Sequence, residues 1–290
     1  MTMPNFLVIG AAKAGTTALY HYLQQHPQIY MSPIKETNFF ALEGETPNFG
    51  GPGSEEQINR YSIAKLEEYQ ALFQEVNKEI AIGEVSPFYL YHPQAPERIK
   101  HYIKDVKLIA ILRNPVDRAY ASFMQMIRDS RESITNFSEA LQAEKERIER
   151  NWDWIWHYQA MGFYYSQLSS YFEMFDRKQI RVYLYEDWHV SNIRILQDIF
   201  IFLDVDESFV PDMSVKPNVS GIPKNQALHK LLKKPNSIKS MLKPFYKSLL
   251  PTRMRQRIRF AIQNPNLAKP PPISTAVRQQ LIEAFREDII

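Results

Sequence analysis

One short stretch near the N-terminus constrains the fold more than any other. The apolar run Phe6–Ile9 is typical of a buried strand. Small residues between Gly10 and Gly15 then predict a tight loop, and the apolar periodicity that starts at Thr16 predicts a helix. A loop that joins a strand to a helix in this way presents backbone N–H groups at the helix N-terminus, where an anion such as phosphate binds. The sequence therefore predicts a phosphate-binding loop.

The rest of the chain repeats the alternation of strands and helices. Apolar segments at 80–85, 106–112 and 180–185 predict three further strands. Helices are predicted over about 16–25, after Asn114 as N-cap with Pro115 in the first position, over 137–161, and up to about residue 203. This order predicts an α/β fold of three layers, with a mostly parallel central sheet and additional C-terminal helices.

The length of 290 residues predicts a single domain with a core over about 5–210 and a basic helical part over about 211–290. Residues 43–60 are rich in Gly, Pro and Ser, which predicts a long exposed loop that could be a lid or a binding element. The last helical pattern has no stop signal. We therefore expect a domain excised from a longer polypeptide, although a natural frayed end would give the same pattern.

Composition narrows the functional classes. The chain has no cysteine, which excludes disulfides and thiolate metal sites and fits a reducing compartment. The N-terminus has no secretory pattern, and no apolar run approaches the length of a membrane span. We therefore expect a cytoplasmic protein without a membrane span.

Charge is distributed unevenly along the chain. The segment Lys216–Arg259 contains twelve lysines and arginines and no acidic residue, whereas the whole chain carries a net charge of only +3. Such a basic segment is either a surface for an anionic partner or a solvated lysine-rich surface. It lacks the regular aromatic residues that would favour a nucleic-acid-binding module, so we expect no nucleic-acid partner.

The predicted loop differs from two known phosphate-binding patterns. Ala12 replaces the second glycine of the dinucleotide pattern. Thr16 replaces the lysine of the nucleoside triphosphatase pattern, which leaves Lys13 as the only cation of the loop. The strand 106–112 ends at a cation, Arg113, so lysine and arginine would take the place of the magnesium that neutralises the phosphates of phosphoryl transferases. This combination fits transfer of a sulfuryl group, which carries less charge than a terminal phosphate and can move without a metal.

The chain resembles the family of sulfotransferases that use 3′-phosphoadenosine 5′-phosphosulfate, PAPS. The stretch AAKAGTTAL resembles that family's 5′-phosphosulfate loop, and LIAILRNPVDRAYASF resembles its 3′-phosphate segment. The stretches SPIKETNFF, GEVSPFYLY, YEDW and NVSGIPKNQAL match further recurring segments, especially of bacterial and glycan-type members. The resemblance covers roughly residues 5–235 and implies the sulfotransferase fold, PAPS as co-substrate, PAP as product and no metal.

The resemblance implies which residues bind the donor. Lys13 would contact the bridging and sulfonate oxygens, where a fixed cation stabilises charge on the leaving phosphate. Arg113 would hold the 3′-phosphate. The family usually has a serine eight residues after this arginine, and in this chain that position is Ala121. Ser122, the next residue, is therefore considered only as a substitute for that serine. The other donor-binding residues implied are Ala14, Gly15, Thr16, Thr17, Gly221 and Lys224.

For the proton acceptor, the resemblance to glycan-type members favours Glu36, with His92 as the alternative base. Glu36 could instead only pair with its neighbour Lys35. The implied acceptor side consists of Lys35, Glu84, Ser86 and Tyr89, although the last three could equally be strand-end packing. We interpret most of the three tryptophans, at 152, 154 and 156, as structural. The same interpretation applies to the histidines at 157, 189 and 229.

These observations predict transfer of a sulfuryl group from PAPS to a hydroxyl. A carrier-protein-bound β-hydroxyacyl chain, as in polyketide synthases that form terminal alkenes, is the leading acceptor hypothesis, with an acidic acyl carrier protein docking on Lys216–Arg259. The alternative acceptor is the hydroxyl of a glycan or small molecule. A kinase or nucleoside triphosphatase with a variant loop would instead require Mg-ATP, and a non-catalytic anion-binding module would depend on the basic segment.

Overall fold

A computed structural model describes residues 2–214, 221–224 and 267–289. Its central feature is a parallel five-stranded sheet in the order β2-β3-β1-β4-β5. The strands are β1 (Phe6–Gly10), β2 (Ile29–Met31), β3 (Ala81–Val85), β4 (Lys107–Leu112) and β5 (Ile180–Leu184). A short antiparallel pair, β6 (Ile222–Pro223) and β7 (Leu267–Ala268), lies apart from this sheet.

The sequence alternation is confirmed, since helices connect the parallel strands and cover the sheet. The described helices are α1 (Thr16–Leu23), α2 (Phe39–Leu42), α3 (Ile58–Tyr61), α4 (Leu66–Ala71), α5 (Ala95–Tyr102), α6 (Pro115–Arg128), α7 (Phe137–Gln142), α8 (Glu144–Glu149), α9 (Tyr164–Met174), α10 (Tyr185–Val190), α11 (Asn192–Phe202) and α12 (Thr275–Ile289). Strands β1 and β4 are almost entirely buried, as expected for central parallel strands.

Helix α6 begins where the sequence predicts. The side chain of Asn114 accepts hydrogen bonds from the backbone N–H groups of Val116 and Asp117, at 3.1 and 3.3 Å, and Pro115 occupies the first helical position. These bonds satisfy donors that have no partner within the helix. The cap therefore fixes the start of α6 directly after the carboxyl end of β4.

The single long helix predicted over 137–161 is wrong. Two short helices, α7 and α8, occupy its first half, and two 3-10 turns, Trp154–Trp156 and Ala160–Gly162, follow them. The helix stops because Asn151 has a φ of 53°, a left-handed conformation that cannot continue a right-handed helix. The chain then turns inward and buries Trp156 completely.

The segment 43–60 is anchored along its length. The Asn59 amide bonds both the N–H and the C=O of Phe49, at 2.8 and 2.9 Å, and Gly50 forms a bridge to Trp152. The buried Arg131 donates to the carbonyl of Pro52 at 2.6 Å. These contacts hold the segment against the core, and a role as a lid or a binding element stays a prediction.

Predictions for the basic C-terminal part fall mostly outside the described residues. The segment Lys216–Arg259 is described only at 221–224, and His229 also lies outside. Within the part of the chain that the structure describes, no helix is long and apolar enough to cross a membrane.

Candidate active site

The predicted phosphate-binding loop connects β1 to α1 through a compact turn. Lys13 and Gly15 both adopt left-handed backbone conformations, with φ of 71° and 87°. The N–H of Ala11 donates to the carbonyl of Ile111 at 2.7 Å, which fixes the loop to β4. Ala14 is fully buried beneath the turn, and Thr16 is buried at the start of α1. The turn thus directs the N-terminus of α1 toward the carboxyl ends of the central strands.

Lys13 extends from this turn toward α6. Its ammonium group donates a hydrogen bond to Oε1 of Gln125. Burial, and next the positive charge of Arg128, lower the pKa of Lys13 to about 8, while the carboxylates of Asp129 and Glu36 oppose that shift. A cation held in surroundings that disfavour its charge is stabilised when an anion binds beside it.

Arg113 lies at the other side of the loop. Its Nη1 donates to the carbonyl of Lys13 at 3.2 Å, and its guanidinium lies 4.8 Å from the centre of the Tyr185 ring. These contacts place Arg113 beside the loop at the carboxyl end of β4. Lys13 and Arg113, which are a hundred positions apart in the sequence, are therefore neighbours, as the sequence predicts.

Both cations line a solvent-open cleft of about 110 Å³. One face of α6 forms its floor, because α6 presents residues three to four positions apart on the same side. The lining residues are Lys13, Arg113, Asp117, Tyr120, Ala121, Met124, Gln125, Arg128, Gly221 and Pro270. The cleft therefore combines three cations with an apolar patch, a combination suited to an anion that carries an aromatic group.

The structure does not bring Ser122 into the cleft. Its hydroxyl is fully buried and donates to the carbonyl of Ile155 at 2.9 Å, whereas Ala121 lines the cleft. Successive helical residues are about 100° apart, so one position of offset moves a side chain to another face. Ser122 is thus a buried anchor of α6, and a methyl group occupies the position of the family's serine.

Of the two predicted residues in the C-terminal part, Gly221 is buried and lines the cleft. Lys224 is exposed and is not among the lining residues. Two further contacts hold the C-terminal segment, residues 270–278, over the cleft. The hydroxyl of Tyr120 donates to the carbonyl of Pro271 at 2.8 Å, and Arg278 of α12 pairs with Asp117 at 2.5 Å.

Glu36 lies between β2 and α2, in a turn that the sheet anchors. Its N–H donates to the carbonyl of Val85 at 2.8 Å, and its carboxylate pairs with the ammonium of Lys35. The Glu36 side chain is 43% exposed, and its charge acts on the pKa of Lys13. The structure therefore leaves an accessible carboxylate near the donor lysine, as a general base requires.

His92, the alternative base, lies elsewhere. Its ring packs against Trp154, with centroids 5.3 Å apart, and its buried Nδ1 has no hydrogen-bond partner among the described residues. Burial, and next the charge of Arg98, lower its pKa to about 4. Neither His92 nor Glu36 is among the residues that line the cleft, but the Glu36 carboxylate is exposed and its charge acts on Lys13, which favours Glu36.

Glu84, Ser86 and Tyr89 do not line an open surface. All three are fully buried and form a hydrogen-bond network behind Glu36. Burial raises the pKa of Glu84 to about 7, although hydrogen bonds from its hydroxyl neighbours oppose the shift. The structure therefore matches the alternative expectation for these three residues, packing at the end of a strand, and Lys35 as an acceptor-side residue stays a prediction.

Sequence reasoning missed six residues of the cleft, namely Asp117, Tyr120, Met124, Gln125, Arg128 and Pro270. Two of them, Gln125 and Arg128, interact with Lys13. Both extend the face of α6 that starts at Arg113, so helical periodicity counted from that arginine would have found them. Arg128 also pairs with Asp129 at 3.0 Å. Among the described residues, no group of three or more potential ligands could hold a metal ion.

Within the described residues, the histidines and tryptophans interpreted as structural pack against aromatic side chains, and of these His189 is exposed. His157 accepts or donates a hydrogen bond with the Tyr91 hydroxyl at 2.9 Å, and burial lowers its pKa to about 4. Trp154 is buried between Phe49 and Phe88. His189 contacts the ring of Tyr185.

Comparison with known proteins identifies the class. The sequence profile of the Sulfotransferase family matches residues 4–208, so the chain belongs to that family. A sulfotransferase from Alicyclobacillus acidocaldarius is 38% identical and superposes with a TM-score of 0.71, covering 80% of this chain and 91% of its own. The mouse heparan sulfate glucosamine 3-O-sulfotransferase 3B1 is 30% identical over 135 residues, which cover 47% of this chain and 30% of the relative.

The fold also matches a sulfotransferase domain from the curacin biosynthetic pathway, with a TM-score of 0.51 and coverage of 99% of both chains, at 15% identity. That likeness concerns the fold alone. The chain spans less than a third of the length of the first curated relatives that it matches. The chain is therefore a member of the Sulfotransferase family with a mostly parallel α/β fold.

Proposed function

We propose that this sulfotransferase transfers the sulfuryl group of PAPS to an acceptor hydroxyl in one in-line step. Glu36 takes the proton of the hydroxyl as its oxygen bonds to sulfur. The bond between sulfur and the 5′-phosphate oxygen breaks at the same time, and PAP leaves with both electrons of that bond. Lys13 and the loop amides stabilise the charge on the leaving phosphate, and Arg113 holds the 3′-phosphate.

One observation carries this proposal, namely that Lys13 and Arg113 line one cleft and that the charge of the exposed Glu36 carboxylate acts on Lys13. Two phosphate positions with separate cations suit a bisphosphate better than a nucleoside triphosphate bound through magnesium. The family match supports the same donor.

A thermal-shift measurement with PAP, AMP and Mg-ATP tests the donor. A ligand at about 100 times its dissociation constant adds roughly 2.7 kcal/mol of stability. PAP should stabilise the wild type and AMP should not, and Arg113→Ala should abolish the PAP effect. Arg286→Ala, an exposed arginine of α12 paired with Glu283, is the matched control. A shift with Mg-ATP but none with PAP would reject the proposal and favour a kinase.

For the acceptor, the saccharide hydroxyl has the stronger support, because the heparan sulfate enzyme is matched in sequence at 30% identity. One observation favours the carrier-bound β-hydroxyacyl chain as acceptor. The basic segment Lys216–Arg259 contains no acidic residue and would attract an acidic carrier protein. Transfer of labelled sulfonate to heparosan oligosaccharides and, separately, to β-hydroxyacyl carrier protein distinguishes the two. Transfer to free β-hydroxyacyl pantetheine but not to saccharides would identify an acyl acceptor that needs no docking.

A further inference from the structure

Behind Glu36 lies a buried polar network that the transfer mechanism does not use. Its centre is the carboxyl group of Glu84 on β3, which is 0% exposed. Its Oε2 accepts hydrogen bonds from the hydroxyls of Thr37, at 2.8 Å, and Ser86, at 3.1 Å. The Tyr89 hydroxyl lies 3.1 Å from that of Thr37 and extends the network toward α2. A buried carboxyl group is costly in a core, so its retention calls for a physical reason.

The network forms hydrogen bonds with the turn that contains Glu36. Thr37 immediately follows Glu36, and the next backbone N–H, that of Asn38, donates to the Ser86 hydroxyl at 3.2 Å. From the other side, the N–H of Glu36 bonds the carbonyl of Val85, the residue after Glu84. The turn is therefore held at three successive residues, and every one of these bonds leads to the end of β3.

The turn needs such support because its backbone is unfavourable. Glu36 and Asn38 both adopt left-handed conformations, with φ of 64° and 55°, on either side of Thr37. A residue other than glycine in this region is strained and persists only where its surroundings enforce the conformation. Without the bonds from Thr37 and Asn38, the turn would relax, and the carboxylate of Glu36 would move relative to Lys13.

We infer that Glu84 is a positioning residue for the transfer reaction, which holds Glu36 in place through Thr37 and Ser86. The inference rests on the proposed role of Glu36 as general base. Glu84 itself touches neither donor nor acceptor, because it is fully enclosed. Displacement of a reacting group by about 1 Å can cost a hundredfold in rate, so loss of this support should lower kcat and leave donor binding intact.

A double-mutant cycle separates positioning from mere stability. The variants are Glu84→Leu, Glu36→Gln and the pair, assayed with labelled PAPS below their melting temperatures. In the wild-type background, Glu84→Leu should lower kcat by about 10- to 100-fold, with KM for PAPS within twofold. In the Glu36→Gln background, the same change should cost less than twofold, because the displaced group no longer acts as a base.

Two milder variants keep the test valid if Glu84→Leu folds poorly. Thr37→Val preserves shape and removes the hydroxyl that bonds Glu84, and it should reproduce the kcat loss at about 10-fold. Glu84→Gln retains an oxygen that accepts from Thr37 and Ser86, and it should restore kcat to within about threefold of wild type.

Glu144→Leu is the matched control. Its carboxylate is also buried, but it accepts from the backbone N–H groups of Gln159 and Ala160, at 2.7 and 2.8 Å, and has no bond to the turn. Any change in kcat that Glu144→Leu causes should be equal in the wild-type and Glu36→Gln backgrounds. Equal losses for Glu84→Leu in both backgrounds, or an unchanged kcat, would overturn the inference while PAP binding and wild-type transfer still stand. Absence of transfer by the wild type would instead reject the proposed function together with this inference.

Discussion

The ammonium of Lys13 donates a hydrogen bond to the side-chain oxygen of Gln125, twelve positions beyond Arg113 on the chain. This contact joins the phosphate-binding loop to the face of α6 that forms the floor of the cleft. Arg113 closes the opposite side by donating to the Lys13 carbonyl. Lys13 is thus held by Gln125 of α6 through its side chain and by Arg113, just before α6, through its backbone carbonyl, so a donor that binds there would contact the loop and α6 together.

Replacement of Lys13 by methionine should weaken PAP binding and stabilise the free protein. Loss of a charged hydrogen-bond donor to phosphate should lower PAP affinity by about 10- to 100-fold. The free protein should gain on the order of 1–3 kcal/mol at pH 7, because the lowered pKa of Lys13 shows that its charge is disfavoured when folded. Isothermal titration calorimetry with PAP and urea unfolding measure the two effects.

The pH dependence of that stability difference has a definite sign. In the folded state Lys13 has a pKa of about 8, and in the unfolded state its ordinary value of 10.5. Between these values the unfolded chain binds more protons, so the wild type gains stability as pH rises. The advantage of Lys13→Met should therefore be full below pH 8 and shrink toward pH 10. An advantage that does not change between pH 7 and pH 10 would contradict the lowered pKa.

A second prediction distinguishes the contributions of positions 121 and 122 to PAP binding. Ala121→Ser places a hydroxyl on the face that lines the cleft, and one added hydrogen bond to phosphate should tighten PAP binding by about 3- to 10-fold. Ser122→Ala removes the bond to the Ile155 carbonyl and should cost about 1–2 kcal/mol of stability, with PAP affinity unchanged. Weaker PAP binding by a folded Ser122→Ala variant would show that Ser122 reaches the donor after all.

The sequence predicted the elements whose local signals are strong. Glycines and apolar residues located β1 and its loop, and Asn114 with Pro115 located the start of α6. The three-residue strand β2 was missed, because three residues are too few to show a period. The break after α8 was missed, because nothing in the sequence near Asn151 marks its left-handed conformation.

The site was predictable to a similar extent. The sequence located Lys13 and Arg113 in the site because both come after apolar strands. Placing Gln125 in the site required knowing which face of α6 points toward the loop. The positions of Glu84 and Ser86 depend on tertiary packing, since β3 lies between β1 and β2 and is enclosed on both faces. A sequence pattern alone does not distinguish a strand-end carboxylate that faces a substrate from one buried behind the site.

A third prediction concerns the proton acceptor. Glu36→Gln removes the base and preserves size, so kcat should fall by about 100- to 10,000-fold, while PAP affinity should stay the same or increase. His92→Gln should leave kcat within twofold, because that imidazole packs against Trp154 away from the cleft. Single-turnover transfer from labelled PAPS measures both. A large loss for His92→Gln together with a small one for Glu36→Gln would reverse the assignment.

The last prediction concerns the contacts that hold the C-terminal segment over the cleft. Arg278 pairs with Asp117, and both side chains are more than one-third exposed, so the pair alone should contribute at most about 1 kcal/mol. Arg278→Ala should therefore weaken PAP binding by no more than about fivefold, through faster dissociation. Tyr120→Phe, which removes the bond to the Pro271 carbonyl, should act in the same direction, and the double variant should lose more than either.

Stopped-flow dissociation of PAP measures these rates, with Arg286→Ala as the control on the same helix. Pro270 lines the cleft, so we expect movement of the segment that includes Pro270 and Pro271 to speed the release of a bound ligand. Each contact to α6 that is removed makes this movement easier, and association should change less than dissociation. If the Arg278 and Tyr120 variants release PAP at the same rate as Arg286→Ala, the segment does not limit escape of the ligand from the cleft.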